Sequence, residues 1–399
     1  MSELTEITAA PRIGKARDAL FKRLISVVAM PSSSLPPSDR AMAADILLDM
    51  LFHADESVRI NCSERLREVR EAPRRLLRYL GQCGIDIARP LLQDNEGFDA
   101  SDLRQLVALT SVEHHLVIAS RKIVSPSVGD ALVGTEEPHV IRTLLSNQGA
   151  VISELSLDRI LVLSRKNEDF TTLLIERPEL QPSQAMAMFW WADGATRRAI
   201  LQRHAADRGE MIARCAEIFP IMAAEGWQDD VARKGVQMIE RRQRNREAIE
   251  KSDFDSLEDA ISHAALVGMA PEIATEIGYL AGVKPVTIAK ILSDHGGEGL
   301  AVLCKATGLK RPYIKELWRS LKRPLEIDEG VIHPQFAYVA ESYELLSVAK
   351  AQTTLRYWNW SLSSSFSQEM ISGDTLKGEF ANDEDQFSAS QRTAKLVFS

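Results

Sequence analysis

At 399 residues, with 45% apolar and 26% charged side chains, the chain is long enough to bury a core without disulfide or metal staples. A net charge of −8 argues against a surface devoted wholly to phosphates, although local basic patches can disagree with the total. Cys62, Cys83, Cys215 and Cys304 form no CxxC and no Cys/His zinc spacing, and no apolar run approaches the roughly 20 residues of a membrane helix. The expectation is a cytoplasmic protein with core cysteines, no metal, no cofactor and no membrane span.

In chain order, MSELTEITAAPRIGKARDAL lacks the apolar core of a signal peptide. From Gly14 the residues Ala19, Leu20, Leu24, Ile25 and Val28 recur at helical spacing until the Pro31–Pro37 stretch stops the helix. A second helix follows, with an apolar face predicted at Met42, Ile46, Leu47 and Leu51.

From Asp55 to about Leu180 one pattern returns five times: SVRINCSERL, DIARPLLQDN, HHLVIASRKI, HVIRTLLSNQ and DFTTLLIERP. The anchors Val58, Ile87, His115, Val140 and Phe170 are spaced by 29, 28, 25 and 30 residues. That period belongs to stacked helical pairs, each with an apolar face it can bury only against its neighbours. The second helix of each pair is announced by a breaker or capping residue: Ala72-Pro73, Asp99 to Ser101, Ser125-Pro126, Ser156 and Pro182-Ser183.

The segments DESVRINCSERL, EAPRRLLRYL, LVIASR with SVGDALV, HVIRTLLSNQGAVIS and LLIERPEL together resemble the bacterial family known as domain of unknown function 2336, common in alphaproteobacteria. The resemblance covers roughly 50–325. It implies an all-helical, HEAT-like fold and no activity.

Beyond the repeats, 229–251 reads as a charged helix with the basic run Arg241-Arg242-Gln-Arg244-Asn-Arg246, diluted by Glu240, Glu247 and Glu250. Ser256 to Asp259 resembles a capping box, and the helix it opens is expected to end near Gly268. Leu280–Leu292 then aligns with Ala306–Trp318, with Gly282 and Gly308 26 residues apart. After Pro324 a last helix is predicted over Phe336–Lys350, passing into Trp358 and Trp360, and the Ser, Gly, Asp and Glu-rich residues after Ser361 read as disordered.

No catalytic motif stands out. Glu113-His114-His115 lacks the HExxH spacing, and His115 lies in the anchor column, which predicts a structural role. Asp294-His-Gly-Gly-Glu-Gly299 is glycine-rich before a helix but lacks the phosphate-loop spacing, so a turn is expected.

Three features can carry binding. Arg59, Arg67, Arg70, Arg74 and Arg78, with Arg65 and Arg75, are opposed locally only by Glu64, Glu68 and Glu71, and read either as a phosphate or acidic-peptide surface or as a solvated face. Phe189-Trp190-Trp191 either caps the repeats or leaves Trp190 or Trp191 to anchor a partner. The twin segments resemble helix-turn-helix units or simply two further hairpins; from Pro271 to Pro324 nine basic residues face five acidic ones, with Lys284, Lys290, Lys310, Arg311 and Lys315 placed to meet nucleic acid.

The reading is an all-α protein. It comprises an N-terminal helical pair (1–50), HEAT-like repeats (51–205), a C-terminal helical region with two hairpins (206–325), a terminal helix (326–362) and a tail (363–399). Function is expected to be that of a non-enzymatic scaffold or adaptor for a protein or peptide, with a nucleic-acid-binding regulator as the alternative.

Overall fold

A computed structural model of the chain describes residues 10–30, 36–218, 221, 252–328 and 330–369. The predicted helix at 229–251, its basic run and the tail beyond Met370 lie outside the described residues. The chain divides into two compact units: 1–160 with 177–179, and 161–176 with 180–399.

The first unit opens with α1 (Ala10–Val28) and α2 (Pro37–Phe52). Leu47 and Leu51 are fully buried, whereas Met42 and Ile46 are exposed and the face is completed instead by Ala43 and Ala44. The repeats follow as α3 (Glu56–Leu66) with α4 (Arg74–Gln82), α5 (Ile85–Asp94) with α6 (Ala100–Leu109), α7 (Val112–Ala119) with α8 (Pro126–Gly134), and α9 (Pro138–Ser146) with α10 (Glu154–Leu163). Four of the five breakers mark a helix start: Asp99 accepts from the Asp102 amide at 2.8 Å and opens α6, and Pro126 is the first residue of α8. Ser156 instead lies inside α10, where its amide donates at 3.1 Å to the hydroxyl of Ser153, the residue before the helix. First helices pack on first helices from α3 to α9, and second on second from α2 to α8. Pair packs on pair in sequence order.

The anchors occupy the shared interior: Ile87, His115 and Val140 are buried, and Val58 half-buried. His115 donates through Nε2 to the Val107 carbonyl, 2.9 Å away, and His114 spans the Cys83 carbonyl and the Ser111 hydroxyl. Burial holds the His115 imidazole below its ordinary pKa, so this ring is a neutral core group.

A polar spine runs down the loops between paired helices. The Asn95 amide donates to the Leu66 and Val69 carbonyls at 2.7 and 3.1 Å, and Arg121 donates back to the Asn95 carbonyl at 2.8 Å. One repeat on, Asn147 donates to the Ala119 and Arg121 carbonyls at 2.8 and 2.7 Å, and Arg177 donates to the Asn147 carbonyl at 2.8 Å. Gly149 is required beside it, since a Cβ there would sit 1.9 Å from the Lys122 carbonyl oxygen. Asn and Arg alternate in one column and tie each repeat to the last.

The second unit begins with α11 (Asp169–Ile175) and α12 (Pro182–Met188), followed by α13 (Gly194–His204) and α14 (Arg208–Arg214). Then come α15 (Leu257–Val267), α16 (Pro271–Ala281), α17 (Pro285–Ser293), α18 (Glu298–Thr307) and α19 (Arg311–Ser320). Ser256 caps α15 by accepting from the Asp259 amide, and Gly268 ends it as expected. The chain is not wholly α-helical: β1 (Glu326–Asp328) and β2 (Val331–Ile332) form an antiparallel hairpin. The predicted helix over 336–350 is two helices, α20 (Pro334–Leu345) and α21 (Val348–Glu369), separated by the extended backbone of Leu346.

Helix α18 is the centre of this unit. Its sequence EGLAVLC is buried at every position from Glu298 to Cys304, as a helix apolar all round must be, and α17, α19, α20 and α21 pack on it. Phe189, Trp190 and Trp358 form an aromatic cluster with centroids 4.8–5.4 Å apart, pinning α21 to the end of α12. The mostly helical architecture is thus built twice, once by repetition and once around a single helix.

Candidate partner-binding site

Positive charge in the two units differs in what it touches. In the first unit the predicted arginines meet acids: Arg67–Asp94 at 2.6 Å, Arg70–Glu96 at 3.2 Å, Arg74–Asp99 at 2.7 Å, Arg75–Asp45 at 3.5 Å, and Arg78 with the buried Asp102. Arg59 donates to the Leu51 and Phe52 carbonyls. These side chains lie on neighbouring pairs, with partners one repeat away. The surface is a ladder of ion pairs, so an incoming phosphate or carboxylate has to displace an existing one.

Trp190 is buried and Trp191 half-buried. Trp190 stands 8% exposed within the aromatic cluster, with the Lys290 ammonium 5.6 Å from its ring. Trp191 donates through Nε1 to Ser164 at 2.8 Å beneath the Arg165 guanidinium. Lys290 is half-buried, and desolvation lowers its pKa against the opposing pull of Asp294.

The glycine-rich Asp294–Gly299 segment is a turn, and a knot. Arg197 Nη1 donates to both Asp294 oxygens at 2.7 and 2.6 Å and to Glu298 at 3.0 Å, with all three side chains almost fully buried. Arg323 closes the other side, donating to the Leu292 and Asp294 carbonyls at 3.0 and 2.6 Å over the Trp318 ring. Gly297, at φ +84°, passes so close to Trp318 that a Cβ would lie 2.4 Å from Cζ3. Burial raises the Glu298 carboxyl while Arg197 pulls it down, and two carboxylates share this one guanidinium. The knot fixes α18, and hence α19.

The twin segments are two copies of one helix–glycine–helix hairpin. Gly282 and Gly308 both adopt the left-handed conformation, and the following Val283 and Leu309 amides donate six residues' span back to Gly278 and Cys304, each at 2.9 Å. Their outer faces differ. On α17, the exposed Lys284 stands just before the first turn and Lys290 folds over Trp190. On α19 the exposed Arg311, Lys315 and Arg319 recur at four-residue spacing with Lys310 before them and Lys322 after. Lys310, Lys315, Arg319 and Lys322 have no ion-pair partner among the described residues, and Arg311 reaches Glu344 only at 3.7 Å.

Beside that stripe lies a groove. Arg311, Pro312 and Lys315 form one wall, Ile332 of β2 closes an end, and Phe336, Ala340 and Leu345 of α20 supply the apolar floor and far wall, with Glu341 and Glu344 at the rim; its volume is about 660 Å³. Phe336 and Ala340 are nearly buried, whereas Ile332 and Leu345 are more than half exposed. The Glu341 charge is already met by Arg198 on α13. Leu345 also borders a smaller recess of about 170 Å³ against Arg198, Leu201 and Gln202. These α20 residues were missed from the sequence, where Phe336, Ala340 and Glu344 show only a helix face and nothing says that α19 lies across from it.

Elsewhere the chemistry is quiet. Burial pushes the Cys62 and Cys304 thiols up to about 12. No three His, Cys, Asp or Glu side chains converge on a metal position, and no helix is long and apolar enough to cross a membrane, among the described residues.

A mostly helical protein of sequentially packed pairs, with an apolar groove beside cations that lack an ion-pair partner among the described residues, is the class these features define. The chain belongs to the family DUF2336, an uncharacterised protein family conserved in bacteria, whose profile matches residues 87–356. The match runs from the second repeat into α21 and takes in both hairpins and the groove. No curated protein and no solved structure matches the chain.

Proposed function

We propose that the protein is a non-enzymatic adaptor of a bacterial cytoplasm, in which HEAT-like helical pairs form a solenoid scaffold and the groove between α19 and α20 receives a segment of a protein partner. One observation carries the reading: a mostly apolar recess of about 660 Å³ runs alongside Lys315 and Arg319, which have no ion-pair partner among the described residues. Apolar floor supplies affinity, and the basic α19 side supplies orientation and rate. The chemistry fits an acidic segment bearing an aromatic or large aliphatic anchor.

The stripe Lys310, Lys315, Arg319 and Lys322 on a helix that follows a tight turn also favours a nucleic acid, as helix-turn-helix readers place such residues on phosphates. The recess beside it favours the peptide, because phosphate contacts need no apolar floor. Affinity capture from native cytoplasm, split into nuclease-treated and untreated halves, separates the two. The adaptor reading expects the same proteins in both halves and their loss from a Lys315→Glu/Arg319→Glu chain. Capture that collapses with nuclease, or nucleic acid alone in the eluate with steep salt dependence, transfers the assignment to the regulator.

A further inference from the structure

We infer that the groove is regulated by the chain's own C-terminal segment Glu379–Phe387, which occupies it as an internal competitor for the partner. The inference rests on the adaptor reading for its consequence, but its own grounds are separate. The segment reads EFANDEDQF: Glu379 precedes Phe380, and three acids, Asp383, Glu384 and Asp385, lie between Phe380 and Phe387, with no basic residue among them. That is the chemistry the groove asks for. Phe380 or Phe387 suits the floor made by Phe336, Ala340 and Leu345, and Asp383 to Asp385 suit Arg311 and Lys315 on the wall and the exposed Arg319 one turn further along α19.

Reach permits it. Helix α21 ends at Glu369, so ten residues, 370–379, lie between it and Phe380, a path of 11 Cα-to-Cα steps. Extended, such a stretch spans up to about 36 Å, comparable with the width of a domain of this size. Tethering places the segment at an effective concentration of order 1 mM, so even a free-peptide Kd near 0.1 mM leaves the groove about nine-tenths occupied. Nucleic acid is disfavoured by the same charge, since an acidic tail on the stripe excludes phosphates as well.

The test uses the full chain. Carbodiimide activates carboxylates and joins them to a contacting lysine amine with loss of water. The expected product is a monomeric species whose digest contains the Lys315 peptide joined to the Asp383–Asp385 peptide. Lys315→Arg, which keeps the charge but has no reactive amine, abolishes that link, and Phe380→Ala/Phe387→Ala lowers its yield about tenfold although every acid remains. Links scattered over many lysines, a yield indifferent to the phenylalanines, or links found only in a dimer band overturn the inference.

Partner capture by the same chains separates this from the adaptor reading. The Phe380→Ala/Phe387→Ala chain is expected to capture several times more partner than wild type. A link without any change in capture leaves the tail in the groove and removes the partner from it. No link, with capture still lost on Lys315→Glu/Arg319→Glu, does the reverse.

Discussion

The two units spend arginine in opposite ways. In the first, Arg67, Arg70, Arg74 and Arg75 lie at the surface, each matched to an acid on a neighbouring pair, so no single contact decides the fold. In the second, one guanidinium, that of Arg197, holds two buried carboxylates and the turn that carries α18. Repetition distributes stability over neighbouring interfaces, as expected of one-dimensional stacks. A central helix concentrates it in one knot. The second unit also carries, on α19, cations with no ion-pair partner among the described residues, where we propose that a partner binds.

Breaking the knot should therefore be the largest effect. Arg197→Met leaves Asp294 and Glu298 buried without their partner, and a loss of about 3–5 kcal/mol is expected. Urea unfolding measures it, and hydrogen exchange should show the loss of protection in α13, α17 and α18 while α3 to α9 keep theirs. Uniform loss along the chain would erase the distinction between the units.

Next comes the polar spine. Asn147→Ala removes two donors to the Ala119 and Arg121 carbonyls and the acceptor of the Gly149 amide, for about 1–3 kcal/mol, with exchange rising only near those loops.

The knot also has a pH signature. Burial raises the Glu298 carboxyl above its ordinary value of 4.5, so the folded chain holds this proton more tightly than the unfolded one. Stability from this group is full below the unfolded pKa and is lost as pH rises through the folded one. Glu298→Gln has no such loss, so relative to wild type it should gain stability as pH rises above 4.5. A difference that is constant, or of opposite sign, would show that Arg197 and not burial governs the carboxyl.

The smallest effect belongs to the ladder. Arg70→Ala breaks a pair whose side chains are 78% and 68% exposed, and its unfolding midpoint should move by no more than about 0.5 kcal/mol.

How far the sequence foretold this follows from how local each signal is. Helix starts at Asp99, Ser125-Pro126 and Ser256, and the stops at Gly282 and Gly308, were legible because capping and left-handed glycine act within a few residues. The Arg59–Arg78 surface looked under-opposed because its acids, Asp94, Glu96, Asp99 and Asp102, lie 24 to 27 positions onward. That is one repeat, and scanning for charges at the repeat period would have found them. Met42 and Ile46 fit a helical apolar face but stay exposed, since periodicity names a face without naming what covers it. The break at Leu346 carries no Gly or Pro, and the groove joins α19 to α20 across the hairpin, so neither had a local signal.

The central claim is that partner binding belongs to α19 and its groove and not to the arginine ladder. The most direct measurement is quantitative capture by two charge variants side by side: Lys315→Glu/Arg319→Glu on α19, and Arg67→Gln/Arg70→Gln/Arg74→Gln on the ladder, both checked for unchanged helicity. The account predicts that the α19 variant loses the partner while the ladder variant keeps it. Retention by the α19 variant with loss by the ladder variant would contradict it.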